Sequence, residues 1–556
     1  MGKILTLHDP RNARAYYLDG TWLPDTMYAL LAKHADERGD TFAVRDAGRR
    51  LTWAQLRAEV DRIAQELHAI GLRAGDRVSV WLPDRVEVAA VMLACSRGGY
   101  VCNPSLNERY SVAELARLLA RIECRALFAQ PGHGIGERDA LARLGRIASL
   151  KALFVLPPTG DALLLPEDAR SYPHGTARLP LPPASANPDQ PVYLAFTSGT
   201  TGEPKGVMHT DNTLLANARA MVADWGLDER SVILTLSPMN HHIGIVGLQQ
   251  ALVAGCELVM TDRRGGVAAI DWIEKTGATY VMGVPTHAVD LVRAMEARGR
   301  PGLGQVSVFY MAGSPIPRET AVRLLQLGVT PQNVYGMTEN GSHQYTRPAD
   351  DRDTITGTCG SACKGYEVRL FRQDNPDIEA GPGEIGEIGG RGGLLMVGYF
   401  SDQSATEQSF NADGWFMSGD LGQFDARGNL RVVGRKKDTI NRGGYKIHPA
   451  PLEEMASRHP SVSRAAVFGV PDPRFGERAC LAVVAQGAAA PSAESMLAHL
   501  EKMGVSRYDM PEYYVVADTF PGDTSSTLLK RELADWVHCG RLRPTPVHHA
   551  APAAKR

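Results

Sequence analysis

Between Thr197 and Gly206 the chain places four hydroxyls, three glycines and one lysine: Thr197-Ser198-Gly199-Thr200-Thr201-Gly202-Glu203-Pro204-Lys205-Gly206. Glycines let backbone N–H groups turn toward an anion, hydroxyls add donors, and a lysine supplies a point charge. Such a loop can grip the phosphates of a nucleotide, although the composition also suits an ordinary polar loop between strands. It is not a Walker A loop, because Gly-Lys-Ser/Thr never occurs in the chain. A second group, Tyr335-Gly336-Met337-Thr338-Glu339, sets a hydroxyl beside a carboxylate. A hard cation that bridges phosphates prefers carboxylate oxygen. Taken alone, this pentapeptide could be any turn.

The elements around these groups alternate. Val192–Phe196 reads as a short buried strand entering the first loop. Further strands are expected at Arg77–Leu82, Val232–Leu236, Glu257–Met260, Tyr280–Met282 and Val306–Tyr310. Helices are expected at Met27–Arg38 and Val86–Arg97, and after Thr52, a plausible N-cap. Strand–helix alternation predicts an α/β fold with parallel strands. Residues 157–190, rich in Pro, Ala and Asp, read as a surface connector. From 452 to 540 the pattern is helix, strand (Ala465–Val470), strand (Cys480–Ala485), helix (Ala493–Met503) and a last helix near 527–537. Residues 541–556 lack periodicity and are expected to be disordered.

Composition bounds the class. A chain of 556 residues can bury a large core and hold more than one domain. A net charge of −2 with mixed signs gives no nucleic-acid surface. Eight cysteines in such a length make no disulfide framework, and Cys359 and Cys363 lack the second pair of a zinc site. No run of eighteen apolar residues spans a membrane, and the simplest expected location is a reducing cytoplasm.

The decapeptide at 197–206 resembles the phosphate loop of the ANL superfamily: acyl-CoA synthetases, adenylation domains of nonribosomal peptide synthetases, and luciferases. The resemblance covers about residues 25–540. It implies a large N-terminal domain (1–434) of α/β subdomains plus a small β-rich subdomain. A small, mobile α+β C-terminal domain (435–540) would follow, pivoting at Lys437. It implies ATP, Mg2+ and CoA as cofactors and cosubstrates. The phosphate loop and Lys205 would hold phosphates, and Met311-Ala312-Gly313-Ser314-Pro315 would contact adenine. Tyr335 would stack on adenine beside Gly336 and Met337, Thr338 would meet the α-phosphate, and Glu339 would hold magnesium. In Gly414-Trp415-Phe416-Met417-Ser418-Gly419-Asp420, Asp420 would accept from both ribose hydroxyls, with Arg435 near the ribose and phosphates. Gly443, Gly444 and Tyr445 resemble the glycine loop along the thiol path.

The paired His241-His242 resembles the His-His motif of acyltransferases, but the downstream aspartate is absent, since Gly244-Ile245-Val246-Gly247 follow. Within the superfamily, His241 matches the residue that closes over the acyl carboxylate. His242 stands where amino-acid-activating relatives carry an aspartate for the substrate ammonium. An imidazole cannot replace that aspartate, so the acid is expected to lack an α-amino group. Gly283, Gly313, Gly336 and Met337 complete the expected acid pocket, suited to a medium-sized, mostly apolar acid. The family pattern breaks near the C-terminus. Aligned on Lys530-Arg531-Glu532-Leu533, the usual adenylation lysine is Thr527. Losing one preorganised donor costs roughly 10²–10³ in rate, and a lost cation more. The reading is an acid–CoA ligase, closest in look to cyclohexanecarboxylate–CoA ligase. One alternative is an enzyme that loads a carrier-protein thiol or an amine. The other is a nucleotide-binding pseudoenzyme weakened at Thr527.

Overall fold

The computed structural model describes residues 9–134, 139–156, 165–172, 180–197, 204–261, 267–314, 316–487, 489–521 and 530–547. The chain divides into two compact units. The first comprises residues up to Ala312, Arg318–Glu367 and Gly390–Phe410. The second comprises Gly313–Pro317, Val368–Gly389 and everything from Asn411 onward.

Two large sheets build the first unit. Among the described residues, one has nine strands, in the order Ser361–Ala362, Gly341–Tyr345, Thr330–Met337, Val308–Met311, Tyr280–Gly283, Val232–Thr235, Glu257–Met260, Phe42–Arg45 and Arg50–Thr52. The strands from Thr330–Met337 to Phe42–Arg45 run parallel, and the outer pairings are antiparallel. Parallel strands need crossovers, and the crossover helices cover both faces. Glu257–Met260 and Tyr280–Gly283 are accordingly buried at every position. The crossover helix His242–Ala254 is almost wholly apolar. Gly247 allows it close to Met282 and Leu258, and Gly255, at φ 70°, ends it.

The second sheet carries the hairpin Pro191–Thr197/Lys205–Thr210. Its other strands are Gly398–Tyr399 on one side and Val101–Asn103, Arg77–Trp81, Ala126–Ala129, Ala152–Val155 and Arg170–Ser171 on the other. Local signals set the helix starts. The Thr52 hydroxyl accepts from Gln55 N while Gln55 Oε1 accepts from Thr52 N, a reciprocal cap for Trp53–Ala69. Thr210 and Thr213 make the same exchange at Asp211–Trp225.

In the second unit, Phe416–Phe424 pairs antiparallel with Leu430–Arg435 within a four-stranded sheet. A further sheet centres on Gly476–Ala485. It pairs with Val462–Asp472 and Ile440–Arg442 antiparallel and with Tyr513–Val516 parallel. Helices Pro449–Ser457, Ala493–Lys502 and Lys530–His538 accompany it.

Two elements differ from expectation. Tyr513–Val516, an aromatic and β-branched run, is not among the expected strands; it is four residues long with only Tyr514 and Val515 buried and pairs with Cys480–Val483. The stretch from 541, expected to be disordered, includes the short strand Thr545–Pro546 beside Tyr513–Tyr514, and Val547 N donates to Glu512 O. Proline and arginine hide the pairing because neither alternates with apolar residues. Residues 548–556 lie outside the described residues.

Candidate active site

The hairpin Pro191–Thr197/Lys205–Thr210 sets Thr197 directly across from Lys205, with the Thr197 hydroxyl donating to Lys205 O at 3.5 Å. The intervening Ser198, Gly199, Thr200, Thr201 and Gly202 lie outside the described residues. Both ends of the hairpin are anchored. Phe196 N donates to Ser105 Oγ (2.8 Å), and Arg121 Nη1 donates to Pro204 O (2.6 Å).

Thr338 and Glu339 sit in the turn between Thr330–Met337 and Gly341–Tyr345. Met337 N donates to Asn340 Oδ1 (3.1 Å) and Asn340 N to Met337 O (3.2 Å), closing the turn. The hairpin is tight enough that a Cβ on Gly336 would lie 1.8 Å from Gly341 O. Asn217 fixes its far side, exchanging two hydrogen bonds of 2.9 Å with the Ser342 backbone. His209, at the end of the lysine strand, reaches the turn as well. Its Nε2 lies 2.6 Å from Thr338 O and its Nδ1 3.0 Å from Thr213 Oγ1. A carbonyl can only accept, so Nε2 carries the proton; Nδ1 faces the Thr213 hydroxyl, which donates to Thr210 O at 3.1 Å.

Tyr399 connects Lys205 with Glu339. Its hydroxyl donates to Glu339 Oε1 at 2.9 Å, and Lys205 Nζ lies 4.6 Å from its ring centroid. Burial and the Glu339 carboxylate raise the phenol's pKa, so it stays a donor. Tyr335, expected against adenine, is buried, with its ring edge-on to His343.

His241 is exposed and occupies the N-cap position of His242–Ala254 without a side-chain capping bond. His242 Nδ1 lies 3.2 Å from the Tyr193 hydroxyl, and its ring stacks on His209 with centroids 5.8 Å apart. Burial, reinforced by His209, pushes its pKa down to about 3, so it is neutral at pH 7. Gly283 ends the strand Tyr280–Gly283, where a Cβ would lie 2.8 Å from His287 Nδ1. Gly313 adopts φ 92° and groups with the second unit, as does Ser314; Pro315 lies outside the described residues.

The second unit brings Asp420 and Arg435 together as cross-strand partners, Arg435 Nε lying 3.6 Å from Asp420 Oδ1. Lys437 is exposed in the turn Lys436–Asp438, its pKa lowered by partial burial and by Arg435. Gly443 and Gly444 both take positive φ, at 59° and 93°, and the exposed Tyr445 donates to Asp509 Oδ1. Thr527 lies outside the described residues. Lys530 and Lys446, the cations that could stand in for the lysine replaced by Thr527, are both engaged: Lys530 is bound to Glu453 at 2.8 Å, and Lys446 Nζ donates to Gln373 Oε1 at 3.3 Å.

Glu339 offers hard carboxylate oxygen, and Lys205 and the Thr338 hydroxyl offer partners for phosphate. Magnesium that binds with nucleotide phosphates needs only one or two protein carboxylates. Among the described residues no group of three His, Cys, Asp or Glu side chains is placed to hold a metal alone. This donor set fits magnesium carried on a nucleotide. Among the described residues no helix is long and apolar enough to cross a membrane. Sequence reasoning gave no role to Tyr193, His209 or Tyr399.

Comparison with known proteins agrees with this chemistry. Residues 31–400 match the AMP-binding enzyme family, and residues 451–542 match the AMP-binding enzyme C-terminal domain. The medium-chain fatty-acid–CoA ligase of Escherichia coli is 29% identical over 95% of this chain and 93% of its own. The salicyl-AMP ligase / salicyl-S-ArCP synthetase of Mycobacterium tuberculosis is 31% identical over 94% of this chain and 92% of its own. Among solved structures, ATP-bound MatB from Rhodopseudomonas palustris is similar at a TM-score of 0.80 and 27% identity, covering 92% of this chain and 99% of its own. The chain belongs to the AMP-binding enzyme family, within the adenylate-forming ANL superfamily.

Proposed function

We propose that this chain is an acid–CoA ligase for a medium-sized, largely apolar carboxylic acid without an α-amino group. It activates a carboxylic acid with ATP, forming acyl-AMP and releasing pyrophosphate, then transfers the acyl group to CoA and releases AMP. The observation that carries the residue assignment is the convergence of Lys205, Thr338 and Glu339 on one frame made by Tyr399 and His209. Lys205 and Thr338 stabilise charge on the phosphates, and Glu339 holds the magnesium. Magnesium, when bound, neutralises phosphate charge. Asp420 takes the ribose hydroxyls, beside Arg435. Lys437 is the hinge between residues 1–434 and 435–540. Gly443, Gly444 and Tyr445 line the thiol path.

The acid preference is supported by His242. A neutral imidazole beside Tyr193 offers no charge for an ammonium or a second carboxylate. Medium-chain fatty acids and salicylate, named for the two relatives, are acids of this kind. Pyrophosphate release with Mg-ATP and a panel of acids tests the assignment. Turnover restricted to dicarboxylates or α-amino acids would overturn it.

A second reading concerns the acceptor. The mycobacterial relative's name joins salicyl-AMP formation to a salicyl-S-ArCP product, which favours a carrier-protein thiol in place of CoA. AMP release that saturates with CoA supports CoA. Release that ignores CoA and requires a carrier protein supports the alternative.

A further inference from the structure

We propose that Tyr399 is a positioning residue that holds the Lys205 ammonium and the Glu339 carboxylate apart, so that neither neutralises the other before nucleotide arrives. The inference rests on the reading of Lys205 as the phosphate-binding lysine and Glu339 as the magnesium carboxylate. Its evidence is geometric. One buried side chain serves both groups, its ring face lying 4.6 Å from Lys205 Nζ and its hydroxyl 2.9 Å from Glu339 Oε1.

The segment that carries Tyr399 is bonded to the lysine strand and to the Thr338–Glu339 turn. Met396 N donates to Glu339 O at 2.7 Å. Val397 N donates to Met208 O at 3.0 Å, and Phe400 N to Gly206 O at 2.7 Å. Tyr399 itself pairs antiparallel with Val207, and its N–H donates to Thr406 Oγ1. The backbone between 396 and 400 is therefore a splint between the lysine strand and the Thr338–Glu339 turn. A Cβ on Gly206 would lie 3.2 Å from Phe400 Cβ and 3.0 Å from Leu194 Cδ1, which shows how closely the splint is laid.

A site that binds a magnesium–nucleotide complex must present a positive charge to phosphate and a negative charge to the metal. Opposite charges that share one tyrosine attract, and a direct ammonium–carboxylate pair would cancel both. Tyrosine gives each group a different partner. The π face attracts the cation, and the hydroxyl bonds the carboxylate without removing its charge. Both contacts are weaker than those a bound nucleotide and metal would offer, so both can be exchanged on binding.

The experiment uses the full chain and a non-hydrolysable ATP analogue, with affinity measured by calorimetry with and without Mg2+, and the melting temperature of each variant recorded. Tyr399→Phe keeps the ring and removes the hydroxyl. Its metal-free affinity is expected to match the parent, while the Mg2+ needed for half-maximal binding rises about tenfold. Tyr399→Leu removes both contacts, and metal-free affinity is expected to fall about tenfold as Lys205 pairs with Glu339. Adding Glu339→Gln to Tyr399→Leu should restore metal-free affinity, a rescue that a purely structural role would not give. If Tyr399→Leu does not fold, the cycle of Tyr399→Phe with Glu339→Gln decides, since the hydroxyl's effect must vanish in the Gln background. Parent-like metal-free binding by a folded Tyr399→Leu, absence of rescue, or an additive cycle would overturn the proposal. Should Lys205→Ala leave analogue affinity unchanged, or Glu339→Gln leave the Mg2+ requirement unchanged, the assignment of those two residues fails instead.

Discussion

The imidazole of His209 donates from Nε2 to the carbonyl oxygen of Thr338 across 2.6 Å, joining the lysine strand to a turn 129 residues away in the chain. Thr338 and Glu339 follow one another in a turn, so this bond fixes where both side chains project. His209→Ala removes the donor to the Thr338 carbonyl, while the Thr213 hydroxyl keeps its bonds to Thr210. The expected cost is about 1–3 kcal/mol in urea denaturation. A loss of about tenfold in kcat/KM for ATP should accompany it. Parent-like kinetics in a folded His209→Ala variant would show that the turn is positioned without it.

Acid should weaken the fold through His242 and His343. Burial pushes each of these imidazoles down to about 3, against an unfolded value near 6.5. Between those values the unfolded chain binds the proton and the folded chain does not. Stability is therefore complete above about pH 6.5 and is lost as pH falls toward 3. His343→Phe removes one of these titrations and should flatten the fall in melting temperature between pH 7 and 5. An unchanged slope would mean that other groups govern it.

Asp211 acts in the opposite sense. Burial pushes its carboxyl up to about 7, although Met27 N and the Ser96 hydroxyl donate to it. The folded chain therefore holds a proton that the unfolded chain has released above about pH 4, and Asp211 costs more stability as pH rises toward 7. Asp211→Asn keeps the acceptor and removes the charge. It should stabilise the protein by roughly 1–3 kcal/mol at pH 8 and by much less at pH 4.

Glu453 is half-buried, and that burial raises its pKa, opposed by Lys530 at 2.8 Å and by a hydrogen bond from Val467 N. Lys530→Met strands a half-buried carboxylate and should cost about 1–3 kcal/mol at pH 7.5. The loss should shrink at pH 5 as Glu453 takes up a proton, which urea denaturation at both pH values would reveal. Lys530 is thus engaged within its own unit, which argues against it as the stand-in for the missing lysine.

Much of this was legible in sequence because it is local. The Thr52 N-cap, the helix Met27–Arg38 and the strand Glu257–Met260 follow from adjacent residues and appear at the expected places. The turn holding Thr338 and Glu339 was legible as a motif. What supports it was not. Tyr399 meets Glu339 from 60 residues away, and nothing in its adjacent residues points to that partner. His209 looks like any strand residue until its strand pairs and the turn folds over it. The strand Tyr513–Val516 is short, and its pairing with Cys480–Val483 is a contact between distant segments.

The account stands or falls on pyrophosphate release with Mg-ATP and a panel of carboxylic acids, followed by CoA-dependent AMP release, for the chain and for Thr527→Lys. We expect both proteins to respond to the same apolar acid, with release faster by roughly 10²-fold or more in Thr527→Lys. AMP release should saturate with CoA. Acid-independent pyrophosphate release, or none from either protein with any acid, would contradict the central claim. Equal rates in the two proteins would instead show that another group does the work assigned to the lysine.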